Sequence, residues 1–180
     1  HADELCAEWG VVSDGPMLAP GMPAVSYGLR GLAYFQLDIS AASADLHSGT
    51  HGGAVPNPAT VLAEFIATLH TGDGSVNLSG FYDDVTPLKA VEREALAALE
   101  FSDDEYLKSL GAPGLAGEAG FTTLERRWAR PTLEVNGIWG GYTGEGAKTV
   151  LPACASAKLS CRLVPRQEPA MASSYHCGNF

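Results

Sequence analysis

The chain has 180 residues, 46% hydrophobic and 18% charged, a balance that buries a core and differs from the composition of disordered segments. Asp and Glu number 21 against 11 Lys and Arg, a net charge of -10 with no basic stripe to neutralise phosphates, which argues against nucleic acid. No apolar run reaches the length a bilayer span needs, so no membrane is expected as a partner.

Residues 1–23 look unlike the start of a domain. Val11-Val12-Ser13-Asp14-Gly15 reads as a short buried strand ending in a turn, where Asp14 either caps that turn or offers a hard oxygen to a metal. Pro16, Pro20, Gly21 and Pro23 follow as a linker, and the boundary is placed there. Because the chain begins at His1 without Met, it is expected to be a fragment, an incomplete sequence or a processed form.

From Ala33 the alternation is that of a half-buried strand. Ala33, Phe35, Leu37, Ile39 and Ala41 share one face; Tyr34, Gln36, Asp38 and Ser40 share the other. The run Asp45-Leu46-His47-Ser48-Gly49-Thr50-His51-Gly52-Gly53 then sets an imidazole among small residues. Asn57 and Pro58 open a helix with Val61, Leu62, Phe65, Ile66 and Leu69 on its apolar stripe, and Gly72 is expected to end it. A second helix is expected from Thr86-Pro87. Ser102 with Glu105, and Thr122 with Glu125, have the spacing of capping boxes. A strand is expected around Leu133 and Val135, then a glycine-rich loop over residues 137–146, then a strand with Leu159, Cys161 and Leu163 facing inward. Residues 166–180 show neither period and read as an irregular tail.

This order predicts an α+β fold: a ferredoxin-like antiparallel sheet with helices on one face and a helical insert, truncated before the second helix and fourth strand. Such a sheet leaves an edge for a second copy to pair with. The four cysteines (Cys6, Cys154, Cys161, Cys177) make no CxxC pair, so a reduced, cytoplasmic protein is expected.

Four residues are candidates for chemistry. His47 either stabilises its own turn or projects to meet a reacting group, with Asp45 placed to orient the ring. Arg162 lies on the polar phase of its strand, as a solvated arginine or as a fork for a substrate carboxylate, and Thr149 is placed to add a hydroxyl to it. Asp14 is the fourth. Ser48 lacks the elbow of a nucleophilic serine.

An ordered series of segments resembles the M20 family of metallopeptidases, especially its cytosolic dipeptidase branch. They are Val12-Ser13-Asp14-Gly15-Pro16, Tyr27-Gly28-Leu29-Arg30-Gly31, Asp45-Leu46-His47-Ser48-Gly49 and Gly80-Phe81-Tyr82-Asp83-Asp84-Val85. Arg130-Pro131-Thr132-Leu133, Asn136-Gly137-Ile138, Lys148-Thr149-Val150-Leu151-Pro152 and Arg162-Leu163-Val164-Pro165 complete it. The resemblance implies a remnant of the catalytic zinc domain over residues 1–23, a lid or dimerisation domain over 24–165, and the tail over 166–180. It implies dipeptide hydrolysis with two zinc ions in the intact enzyme and a homodimer. Asp14 matches a zinc ligand, His47 a lid histidine that stabilises the oxyanion in the partner copy, and Thr149 and Arg162 the residues that hold the substrate carboxylate. The family's other zinc ligands and its general base have no counterpart here, so the isolated chain is expected to be inactive and to bind no zinc stably. The alternative is a purely structural homodimerisation module.

Overall fold

The computed structural model describes residues 28–169 together with 6–10, 17, 21 and 26. The strand expected to end at Asp14, most of the linker and residues 170–180 lie outside the described residues. In chain order the elements are β1 (Gly31–Ser40), β2 (Leu46–His47), α1 (Ser48–His51), α2 (Pro58–Thr68), α3 (Ala90–Ala97), α4 (Asp103–Leu110), α5 (Thr123–Trp128), β3 (Thr132–Gly140), β4 (Val150–Leu151) and β5 (Cys154–Leu163).

The main sheet has the order β1-β5-β3, both pairings antiparallel, so the last strand is the middle one. This is the order of the first three strands of a ferredoxin-like layer, and α2 covers its inner face. The alternation read from β1 holds: Ala33 is buried while Tyr34 and Asp38 are exposed. On the central strand even Ser156 and Ser160 of the polar phase are buried, because flanking strands close over small side chains. Leu62 of α2 packs on Ala155 and Ala157 at one end of the sheet. Leu69, Phe81, Leu133, Leu159, Cys161 and Leu163 form the larger cluster at the other.

Several boundaries differ from the sequence reading. Helix α2 starts as expected, with Asn57 Oδ1 accepting from Ala59 N at 3.0 Å and Pro58 in the first turn. It ends at Thr68, short of Gly72, because Asn77 donates from Nδ2 to Thr68 O and from its backbone N to Leu69 O. Those bonds satisfy terminal carbonyls while His70 leaves the helix to bridge Val76. Helix α3 begins at Ala90, past Pro87, where Lys89 N donates to Glu92 Oε2 at 2.8 Å. Strand β3 continues to Gly140 through a bulge between Val135 and Gly137, so the expected glycine-rich loop loses its first four residues to the sheet. The bulge shifts the side-chain phase and puts Gly137 opposite Lys158.

Two arginine–carboxylate pairs lock the helical insert. Glu125 completes the capping box of α5 with Thr122 and also receives Arg93 Nε at 2.6 Å. Arg130 grips Glu118 with Nε and Nη2 and lies over the rings of Phe121 and Tyr82. Arg30 Nη1 donates to the carbonyls of Arg126 and Arg130, closing the C-terminal end of α5.

Candidate functional site

Strands β2 and β4 pair over two residues, Leu46 with Leu151 and His47 with Val150, and prolong the β1–β5 ribbon past its end at Ser40 and Cys154. The bond from Ala41 N to Ala153 O links the two ladders. His47 therefore stands on a strand end, and it also caps α1: its Nδ1 accepts from Gly49 N at 3.0 Å. Its Nε2 lies 3.1 Å from Thr149 Oγ1, a contact across 102 positions of sequence. The ring is exposed. Sequence reading separated these two residues into different roles, and the short ladder brings them into one pair.

Asp45 does not orient the ring. Its Oδ1 accepts from Ala153 N at 2.8 Å, which pins the entry to β2 against the exit from β4 and leaves the imidazole to Gly49, Thr149 and the Thr50 hydroxyl, 3.5 Å from Nδ1. His51 contributes its carbonyl, which receives Ala54 N and Val55 N.

The glycine after His47 has a steric purpose. A Cβ at Gly49 would lie 2.7 Å from His47 Cε1 and 3.1 Å from Nδ1, closer than a ring tolerates. Small residues around a histidine suggested backbone approach to a ligand; at Gly49 the approach is that of the ring to its own backbone.

Arg162 is exposed on β5, on the face opposite α2, with Leu32 and Thr132 as register partners. It lies eight positions along the strand from Cys154, roughly 27 Å at about 3.4 Å per residue. The His47–Thr149 pair lies beyond the Cys154 end, so within one copy Arg162 and Thr149 do not converge. Around Arg162 the surface is rich in positive charge. Burial lowers the Arg30 guanidinium from its ordinary value, the neighbouring Arg162 and Arg127 charges lower it further, and Glu134 opposes them.

Asp14 lies outside the described residues. Among the described residues no three His, Cys, Asp or Glu side chains cluster closely enough to hold a metal ion. Among them also, no helix is long and apolar enough to cross a membrane. Two open clefts of about 570 and 610 Å³ lie on the helical insert, lined in part by Asp83, Arg166, Tyr82, Phe121 and Arg130. Neither reaches His47, Thr149 or Arg162. His47, Thr149 and Arg162 are each exposed, the first two as a pair and Arg162 apart from them.

Residues 27–174 match the family model described as the M20 peptidase dimerisation domain. The Cys-Gly metallodipeptidase dug1 of Schizosaccharomyces pombe is 37% identical over 167 residues, covering 93% of this chain and 34% of that protein. The human Beta-Ala-His dipeptidase is 33% identical over 155 residues, covering 86% of this chain and 31% of its own length. The chain thus spans about a third of these relatives. Among solved structures, the M20 metallo-carboxypeptidase Sso-CP2 of Sulfolobus solfataricus superposes with a TM-score of 0.79 at 37% identity, over 89% of this chain and 42% of that one.

Proposed function

The chain belongs to the M20 peptidase dimerisation-domain family, and on that premise we propose that it is the lid and dimerisation portion of a zinc-dependent dipeptidase. In this reading two copies associate about a two-fold axis, and each lends His47 and Thr149 to the other's active site while Arg162 serves a different one. The observation that carries the reading is the separation along β5. A dipeptide spans at most about 7 Å, so residues roughly 27 Å apart act on one substrate only when different copies supply them.

The chemistry assigned to each residue follows from its atoms. His47 and Thr149 present hydrogen-bond donors from a stiff, glycine-fitted turn to the oxygen that gains charge as an amide is attacked. Donors of that kind contribute about 3–4 kcal/mol. The Arg162 guanidinium holds a substrate carboxylate by paired hydrogen bonds. Dipeptides and carboxypeptidase substrates share a free terminal carboxylate, which fits such a fork. Zinc finds no fit among the described residues; Asp14 is the one ligand assigned to this chain, and the remaining ligands and the general base are assigned to the rest of the enzyme.

The homodimer is supported by the edge strand β3, which carries Ile138 at 60% and Trp139 at 45% exposure. Large apolar side chains on an unpaired edge favour a second copy. With α2, this strand is proposed as the two-fold contact. A cytoplasmic location is supported by the free thiols of Cys6, Cys154 and Cys161.

The deciding experiment restores the full reading frame and replaces His47 with Ala. A fall in kcat of about 10²–10³-fold with the dimer intact is expected. Unchanged turnover would favour a purely structural dimerisation module instead.

A further inference from the structure

We propose that Tyr34 is a further substrate-contacting residue, its phenol donating to the terminal carboxylate that Arg162 grips. The proposal rests on the reading that Arg162 holds that carboxylate, and adds a donor from the same copy. The outer face of the sheet supplies the geometry. On β5 the positions Arg162, Ser160 and Lys158 share that face, and their register partners on β1 are Leu32, Tyr34 and Gln36. Tyr34 therefore stands opposite Ser160 and diagonally across from Arg162. Diagonal neighbours on an antiparallel pair lie about 7–8 Å apart, a gap that aromatic and long side chains bridge. The small, buried Ser160 leaves the space between the phenol and the guanidinium open.

The other long polar side chains of β1 and β5 beside this gap are already engaged. Gln36 Nε2 donates to the Asp38 carboxylate at 3.1 and 3.2 Å, and Lys158 Nζ lies 6.0 Å from the Trp139 ring centroid. Tyr34 is 71% exposed, and among the described residues its hydroxyl has no hydrogen-bond partner. Leu32, opposite Arg162 on β1, carries no donor, and Thr132, opposite it on β3, is too short to reach as far out as a guanidinium. Charge favours the same side. Glu134 faces Ser160 from β3, so a carboxylate seated on Arg162 is repelled from β3 and driven towards Tyr34 on β1. A guanidinium fork occupies one lone pair on each carboxylate oxygen, which leaves a lone pair for a phenolic O–H.

The test compares Tyr34→Phe, Arg162→Met and the double variant of the intact enzyme by kcat and KM on one dipeptide. Tyr34→Phe keeps the ring and removes only the hydroxyl, so the fold is left in place. A hydrogen bond to a charged group predicts a rise in KM of about tenfold or more, with kcat within about threefold. Because both residues hold one carboxylate, the double variant is expected within about threefold of Arg162→Met in kcat/KM. An unchanged KM in Tyr34→Phe, beside a raised KM in Arg162→Met, overturns the role of Tyr34 and leaves the fork standing. Losses that multiply in the double variant overturn the shared carboxylate, as does a fall in kcat with KM held. An unchanged KM in Arg162→Met overturns the reading of Arg162 itself, and the assignment of Tyr34 with it.

Discussion

Arg166 adopts a φ of 81°, a left-handed conformation that disfavours a side chain with a Cβ. Pro165 precedes it, and Gln167 N returns to Val164 O at 3.1 Å, the pattern of a turn that favours glycine at its third position. The turn delivers Gln167 to the core, where Nε2 donates to Phe81 O at 2.7 Å and Oε1 accepts from Val164 N at 3.0 Å. Those buried bonds hold the strained backbone in place. Arg166→Gly is therefore expected to stabilise the chain by about 1 kcal/mol and raise Tm by roughly 2–4 °C; a lower Tm on calorimetry would contradict this. Cys161 offers a second check. Burial pushes its thiol up to about 11, so at pH 8 it is neutral and shielded, while Cys154 is exposed. Alkylation followed by mass mapping should mark Cys154 in the folded chain and Cys161 only in denaturant.

Helix α5 has six residues, too few to persist without external support. Glu125 supplies that support from a side chain only 2% exposed. The Arg93 guanidinium bonded to it holds its carboxyl below the ordinary glutamate range, overcoming the burial that pushes the other way, and the Thr122 amide assists. The sign follows from linkage. A carboxyl depressed on folding adds stability above the unfolded pKa of about 4.3, and that stability is lost as pH falls through the folded value. Glu125→Gln should cost roughly 1–3 kcal/mol at pH 7, with the difference in Tm from the unmodified chain shrinking below pH 4. A difference that stays constant from pH 7 to pH 3 would remove the carboxylate from the account. The start of α3, where Glu92 accepts from Lys89 N, and the capping box of α5 show how local sequence and tertiary contacts divide the work: a side chain three residues on starts each helix, while the Arg93–Glu125 pair holds α5 in place.

For the molecule as a whole, the proposed homodimer rests on the edge that β3 leaves open among the described residues and on the distance between Thr149 and Arg162. Ile138→Lys should weaken self-association at least tenfold with the circular dichroism unchanged. Light scattering that shows a monomer for the unmodified chain, or an undiminished dimer for the variant, would remove β3 from the interface. The proposed reading assigns the general base and the remaining metal ligands to the rest of the enzyme. The purified chain is accordingly expected to show no dipeptide hydrolysis, and measurable turnover would overturn the division of labour.

Local pattern determined much of this protein. The faces of β1, the Asn57–Pro58 start of α2, the Thr122–Glu125 capping box and the inward side of Cys161 were legible because each depends on neighbours within a few residues or on a period of two. The resemblance to M20 segments, not local period, singled out His47, Thr149 and Arg162 as candidates. Only the tertiary structure decided what those residues meet. The β2–β4 ladder joins His47 to Thr149, the length of β5 separates both from Arg162, Asp45 is drawn to Ala153, and a bulge at β3 reverses a face. Those outcomes depend on register between distant strands, and register is an energy shared by the whole sheet that no short window of sequence contains.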